Sequence, residues 1–432
     1  MARQAEVTQV ERDEAAGGAR PFRDGGRGER VGFLGLLSAA VGFGPKGEDW
    51  QERKDLQEAV EDAIRDLGPR FRVHSNRGFS PMVFGQSDDA AMELSAFLCV
   101  DSAEHRKNLS GGEYSILSEI EQMVADVRKG VAGTEASVSD NKPEKTLDEQ
   151  FKQCLNDVLT EAGGMGRQIT EAEMILLEQA DQLEECLHYV LYEEAGSSDV
   201  VFDNGGLKRD CDHQGRLLPS REIVDPVTGD KRSMRLDDFV NHPSARLAGL
   251  RREHVLALRL YTTIAFKSIN GPLRDFRRRE EGRAHPLPVT VTLIGEALRQ
   301  LRKVEGRAAT AQESVDLYRG LGGRIVQDEF LAKGGTEIAP MSTTKDLRLA
   351  LQYSASEHAV VLRFRTKNFM ERGSDIAFVS AFPSPSEMAF PPLTYLVPVR
   401  AKDKNGVLQP KMPQVIKVGG AEWTFVDVQA QF

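Results

Sequence analysis

Apolar residues recur at helical spacing through most of the first half of the chain. In "WQERKDLQEAVEDAIRDL" (50–67), Leu56, Val60, Ile64 and Leu67 fall on one stripe, and Gly68-Pro69 ends it. "GGEYSILSEIEQMVADVRKG" (111–130) and "LDEQFKQCLNDVLTEAGG" (147–164) repeat the pattern, each closing at glycine. The longest such run, "TEAEMILLEQADQLEECLHYVLYEEAG" (170–196), opens with Thr170 and carries Glu173 three residues on, a capping-box pattern. Its Leu and Met stripe predicts packing rather than a cofactor box. "FRVHSNRGFSPMVFGQSDD" (71–89) has no regular period. These patterns predict a mainly helical N-terminal region over residues 47–200, of unassigned role.

The pattern changes after a turn-rich connector (201–239), whose "DPVTGD" predicts a small hairpin. A helical stretch, "LRREHVLALRLYTTIAFKSINGPLR" (250–274), is expected to end at "NGP", and "TLIGEALRQLRKV" reads as another helix. Short β-type segments follow: "VDLYRG", "HAVVLRFRT", "DIAFVSAF", "EMAFPPLTYLVPV" and "EWTFVDVQA". The expected fold class is α+β, with helices flanking a C-terminal mixed or antiparallel β-sandwich over residues 240–432.

Composition narrows the functional classes. Hydrophobic residues make up 40% of 432 positions and charged residues 28%, which reads as a soluble chain of two or three domains. A formal net charge of −10 argues against a nucleic-acid partner, because phosphate neutralisation needs a basic surplus. The basic run "RDFRRREEGR" (274–283) is diluted by acids and reads as a solvated helix end. Cys99, Cys154, Cys186 and Cys211 show neither CxxC nor histidine pairing, so no zinc site and no disulfide framework is expected; His213, alone in a loop, reads as surface. A reducing, cytoplasmic setting is the default, and the triplet at Asn108 would count as a glycosylation sequon only in a secreted chain. Residues 1 to about 30 are rich in Gly, Arg and Glu, which predicts disorder. "VGFLGLLSAAVGFG" (31–44) reads as a docking or core segment, with a signal or targeting role the alternative, so residues 1–46 form a disordered or targeting segment. That run is too short and glycine-rich to span a bilayer.

Three pieces could carry chemistry. In "SVDLYRGLGG" (314–323), Val315, Leu317 and Arg319 share one strand face, and an arginine continuing an apolar face stands where a core opens into a cleft. There its planar fork suits phosphate oxygens, although an arginine at a strand end is more often structural or solvated. Gly320 would let a ligand approach the backbone closely. "GLGGRI" fails the GxGxxG pattern at Ile325, so a Rossmann site is not supported. In "PMSTTKDLRLALQYS" (340–354), Ser342, Thr343 and Thr344 end an extended stretch, and Thr344 is placed to cap a helix with the stripe Leu347, Ala350, Leu351, Ser354. The third piece is a lone carboxylate, Glu387 in "SPSEMAFPPLTYL" (384–396). Strand alternation sets it on one side with Ala389 and Pro391, opposite Met388 and Phe390.

In order and surroundings, Arg319, Ser342-Thr343-Thr344 and Glu387 resemble the arginine–serine–glutamate class of mono-ADP-ribosyltransferases. "YTTIAFKSINGPLR" (261–274) is similar to the helical segment preceding that family's first strand, and "GGTEIAPMSTTKDLRLALQYS" and "EMAFPPLTYL" are similar beyond the key residues. The resemblance covers roughly residues 240–432. It implies a catalytic domain that cleaves NAD+, a consumed substrate, at the nicotinamide–ribose bond and transfers ADP-ribose to a protein side chain, with no metal. It assigns Glu387 to the charge that develops on the ribose and Arg319 to the phosphates and ribose. Gly320 would offer backbone bonds to nicotinamide, and Ser342 would orient Glu387 and the substrate, with Thr343 and Thr344 in the same binding segment. The family's arginine-modifying members carry an acid two residues before the glutamate, where this chain has Pro385. Arginine transfer, hydrolysis of NAD+ by water, and a non-catalytic NAD-binding or protein-interaction module therefore all stay open, and no acceptor protein is identified.

Overall fold

The computed structural model describes residues 48–67, 83–84, 98, 112–132, 171–192, 222–225, 227–306, 313–356, 358–381, 387–402, 405–418 and 420–432. The readings made on residues 1–46, Asn108, Cys99, Cys154, Cys211, His213, the 147–164 helix and Pro385 lie outside them. Residues 53–432 form one compact unit; of the other, Met1–Glu52, only residues 48–52 are described.

In chain order the elements are α1 (Glu48–Leu67), β1 (Val83–Phe84), α2 (Glu113–Ala132), α3 (Glu171–Tyr192), β2 (Glu222–Val224), β3 (Lys231–Ser233), α4 (Leu236–Val240), α5 (Pro243–Ala248), α6 (Arg252–Tyr261), α7 (Phe266–Arg274), α8 (Phe276–Glu280) and α9 (Pro288–Glu305). Then come β4 (Val315–Gly322), α10 (Asp328–Lys333), β5 (Gly335–Glu337), β6 (Met341–Thr344), α11 (Leu347–Tyr353), β7 (His358–Thr366), β8 (Ser374–Asp375), β9 (Glu387–Phe390), β10 (Thr394–Pro398), β11 (Arg400–Lys402), β12 (Leu408–Pro410), β13 (Gln414–Val418) and β14 (Ala421–Gln431). The fold is α+β, as the periodicities predict, with a C-terminal mixed sheet. No helix among the described residues is long and apolar enough to cross a membrane.

Among the described residues ten strands form the main sheet, in the order β1-β5-β10-β14-β7-β4-β6-β9-β8, with β13 also pairing β14. Among these described strands only β7 and β14 run parallel; the other neighbours are antiparallel. β4 follows β7 without interruption from Val315↔Thr366 to Gly322↔Ala359, yet meets β6 at a single position, Tyr318↔Thr344. The sheet therefore opens along the β4–β6 seam.

Among the described residues three buried clusters hold these layers. Ile116, Leu183, Tyr189, Phe239, Leu256 and Ile294 join α2, α3, α4, α6 and α9 in one helical core, so helices of the N-terminal region share a core with those preceding the sheet. Leu317, Phe364, Met388 and Phe390 fill the space on one face of the sheet. Leu56, Val60 and Ala63 of α1 pack with Ala350 and Leu351 of α11 over Val361, Trp423 and Phe425. Each large apolar side chain buried this way contributes about 1.5–3 kcal/mol. α9 opens without a side-chain cap of its own at Leu287; Glu119 of α2 caps it across space, accepting from the N–H groups of Val289 and Thr290 and from the Thr290 hydroxyl.

Four local readings need correction. The 250–274 helix is broken at residues 262–265, and "NGP" lies inside α7 rather than at its end. "DIAFVSAF" is no strand beyond Asp375: Val379 and Ser380 N–H both bond the Ile376 carbonyl, closing a turn that buries Ile376 and Val379. "EMAFPPLTYLVPV" is two strands, because Pro391 and Pro392 cannot donate to a ladder and Leu393 turns the chain at φ 66°. The cap of α11 is Asp346, whose carboxylate accepts from Arg348 and Leu349 N–H, while Thr344 Oγ1 accepts from Asp346 N–H one turn earlier. An ionised oxygen is the stronger acceptor for unpaired helix N–H groups, and so takes the capping position.

Candidate active site

The seam holds a cavity of about 310 Å³, lined among others by Tyr261, Arg274, Arg319, Ser342, Glu387 and Tyr353. Three strands deliver the sequence-predicted residues. β4 brings Arg319 and Gly320, β6 brings Ser342, Thr343 and Thr344, and β9 starts with Glu387, which stands directly across the ladder from Thr344. All six line the cavity. Ladder partners point to the same face, so Thr344 and Glu387 are neighbours there, as are Ser342 and the buried Ala389.

Arg319 bridges the seam where backbone pairing stops: its guanidinium donates to the Ser342 carbonyl at 2.7 Å. Burial, and then the like charge of Arg274, weigh against its charged form and lower its pKa from the ordinary arginine value. An anion entering the cavity would relieve both. Arg274 is itself held by the fully buried Glu337, donating from Nε and a terminal nitrogen to the two carboxylate oxygens at 3.0 Å each. That fork-to-fork pair fixes one positive group at the cavity wall and spends its charge.

The hydroxyls have uneven duties. Ser342 Oγ donates to the Tyr261 hydroxyl at 3.0 Å. Burial raises the Tyr261 pKa, so the phenol stays protonated. Thr343 donates to the Met388 carbonyl at 3.0 Å, which ties β6 to β9 beside Glu387. Thr344 is engaged at the start of α11, as above. Gly320 meets a close neighbour within the protein itself. A Cβ there would lie 2.0 Å from the Ala350 carbonyl oxygen, so α11 approaches this backbone closely. α11 then contributes Leu349, Ala350 and Tyr353 to the cavity wall.

Sequence reasoning assigned no role to Tyr261, Asn270 or Arg274, although all three lie in the quoted segment 261–274 and line the cavity. Their polarity was no distinguishing signal, because Thr262, Thr263, Lys267 and Ser268 stand in the same stretch. The partners that give them meaning are distant in sequence: Ser342 for Tyr261, Glu337 for Arg274 and the Pro340 carbonyl for Asn270.

No family model matches the sequence, and no curated protein does so either. Among solved structures the chain is similar to the type III effector XopAI from Xanthomonas axonopodis pv. citri, at TM-score 0.29 and 10% identity over 72% of this chain and 99% of that one. It is similar to the catalytic domain of VahC from Aeromonas hydrophila, at TM-score 0.20 and 16% identity over 40% and 98%. A third is the ADP-ribosylating toxin BECa of a binary enterotoxin of C. perfringens, solved with NADH, at TM-score 0.25 and 10% identity over 81% and 99%.

Proposed function

We propose that the chain is a mono-ADP-ribosyltransferase that consumes NAD+. The observation that carries this reading is the convergence of Arg319, Ser342 and Glu387, from three separate strands, on one cavity at the open seam. A cavity of about 310 Å³ suits the nicotinamide–ribose half of the substrate. The adenosine half would then run past the exposed Tyr353 at the rim.

In the proposed reaction the bond between ribose C1′ and the nicotinamide nitrogen breaks. The electron pair stays with the nitrogen, so nicotinamide leaves neutral, and positive charge builds on the sugar. Glu387 stabilises that charge: at about 4 Å and an effective dielectric near 20 the attraction is on the order of 4 kcal/mol, roughly a thousandfold in rate. Arg319 binds the diphosphate, its unfavourable placement beside Arg274 offset by the arriving anion. Ser342 and Tyr261 act as a hydroxyl pair that holds the seam beside Glu387. An acceptor nucleophile adds to C1′ and loses a proton, giving the ADP-ribosylated product. Pro385 takes the place of the acid that polarises an arginine acceptor in the family resembled, which favours water as a competing acceptor.

The test is nicotinamide release from NAD+ by the full-length chain beside Glu387→Gln, with and without agmatine. Release that drops about a thousandfold in the variant supports the reading. ADP-ribosyl-agmatine among the products identifies arginine transfer, and free ADP-ribose alone identifies hydrolysis. Bound NAD+ without release would replace the enzyme with a binding module.

A further inference from the structure

Arg259 of α6 is fully buried in the helical core, two residues ahead of Tyr261. A cation withdrawn from water is costly unless specific groups receive it. Its guanidinium carbon lies 3.7 Å from the centroid of the Phe239 ring and 5.8 Å from that of Tyr189, and one terminal nitrogen donates to the Val379 carbonyl at 3.1 Å. A methionine or leucine would fill the same volume more cheaply, so packing alone does not account for an arginine here.

The group it holds belongs to the 376–381 turn after β8, which has no sheet ladder among the described residues. It is fastened at separate points. Ile376 N–H donates to the Glu387 carbonyl at 3.0 Å, and Ala381 N–H donates to Thr262 Oγ1 at 2.9 Å, whose hydroxyl in turn donates to the Arg259 carbonyl at 2.8 Å. Phe378 stacks on His242, with centroids 4.7 Å apart and the rings 17° from parallel. The end of α6 thus grips residues 379 and 381, and the base of the turn is bonded to the backbone of Glu387.

We propose that Arg259 is a positioning residue for Glu387: it locks the 376–381 turn to the end of α6 that also carries Tyr261, so that the carboxylate and the Ser342–Tyr261 hydroxyl pair share one rigid frame. Through Tyr189 that frame includes α3, which gives the helical N-terminal region a direct part in setting the active site. The proposal rests on the reading of Glu387 as the carboxylate beneath the ribose. Without Arg259 the Val379 carbonyl is left buried without this donor, and the turn is released to shift, carrying Glu387 with it.

The experiment combines amide hydrogen exchange with steady-state nicotinamide release, on the full chain, for wild type, Arg259→Met and Arg259→Lys. In Arg259→Met the amides of Ile376 and Ala381 are expected to lose protection tenfold or more, while β7 and α9 keep theirs. The kcat of nicotinamide release should fall tenfold or more with KM for NAD+ within twofold, and lysine, which can still donate to Val379, should restore most of both. If Arg259→Met does not fold, Thr262→Val, which removes only the second tether, is measured the same way. Unchanged protection of residues 376–381, or protection lost evenly across β7 and α9, overturns the proposal. Should wild type release no nicotinamide, the catalytic reading of Glu387 fails, and the exchange arm still decides whether Arg259 holds the turn.

Discussion

Two arginines stand on neighbouring strands of the same sheet, and their surroundings are opposite. Arg363 of β7 lies against Asp427, its direct partner on β14, with Nε donating to Oδ1 at 2.5 Å; Lys411 donates to the other oxygen at 2.8 Å. Both members of the buried pair are almost fully enclosed, and the charges close on one another. Arg319, one strand away on β4, has a backbone carbonyl for a partner and a second arginine as a neighbour, and among the described residues no carboxylate bonds it. The ladder side of the sheet spends its charge on holding strands together. Under the proposed function, the seam side keeps a positive group for an arriving diphosphate.

That contrast predicts crossed outcomes for two substitutions. Asp427→Asn takes from the buried Arg363 the carboxylate it bonds and should cost about 3–5 kcal/mol in unfolding by urea. Its effect on nicotinamide release, measured where the variant is still folded, should be small. Arg319→Met loses one hydrogen bond but also an unfavourably buried charge, so its stability should stay within about 2 kcal/mol of wild type. Its nicotinamide release should fall by about 10²- to 10³-fold. The comparison breaks if Arg319→Met unfolds as readily as Asp427→Asn, since Arg319 would then be a second structural cation.

A smaller effect is expected from Gly320→Ala, which tests whether the seam depends on α11. The new methyl would meet the Ala350 carbonyl oxygen at 2.0 Å and the Ser354 Cβ at 3.0 Å. The helix has to move away, at about 1–3 kcal/mol. Because α11 lines the cavity, thermal stability and NAD+ affinity should fall together. Affinity lost at unchanged stability would assign Gly320 to direct ligand contact instead.

The same distinction explains what the sequence makes legible. β7 and β14 are long β-branched and aromatic runs, and α1, α2 and α3 carry stripes at helical spacing, so their types follow from local pattern. The order of Arg319, the Ser342–Thr344 triplet and Glu387 was also readable, and the three do line one cavity. The turn at 376–381 was not, because its apolar residues mimic a strand while its bonds run to Arg259 and Thr262, more than a hundred positions earlier. Glu337 lies 63 positions from Arg274, and the opening of the β4–β6 ladder after one pair belongs to the sheet as a whole. Local windows hold none of these partners.

Charge closure can be sharpened further by pH, since two enclosed carboxylates should respond with opposite signs. Burial raises the pKa of Asp427, but the hydrogen bonds and charges of Arg363 and Lys411 outweigh it and hold the group below its ordinary 3.8. Its contribution is present above that value and is lost only as pH falls through the depressed one. Glu119, capping α9 across space, is raised by burial from 4.5 to about 7, with the N–H donors of Val289 and Thr290 and the Thr290 hydroxyl offsetting only part of the cost. Between those values the folded protein binds a proton that the unfolded chain does not. Stability from Glu119 is therefore fully present below 4.5 and lost as pH rises through about 7. We expect the stability difference between wild type and Glu119→Gln, read from urea unfolding, to fall by about 2 kcal/mol between pH 5 and pH 8. Across the same interval the difference between wild type and Asp427→Asn should stay level. A Glu119 difference that stays flat or rises would mean that the helix N–H groups satisfy this carboxylate as fully as cations satisfy Asp427, and closure by charge would lose its special standing in the sheet.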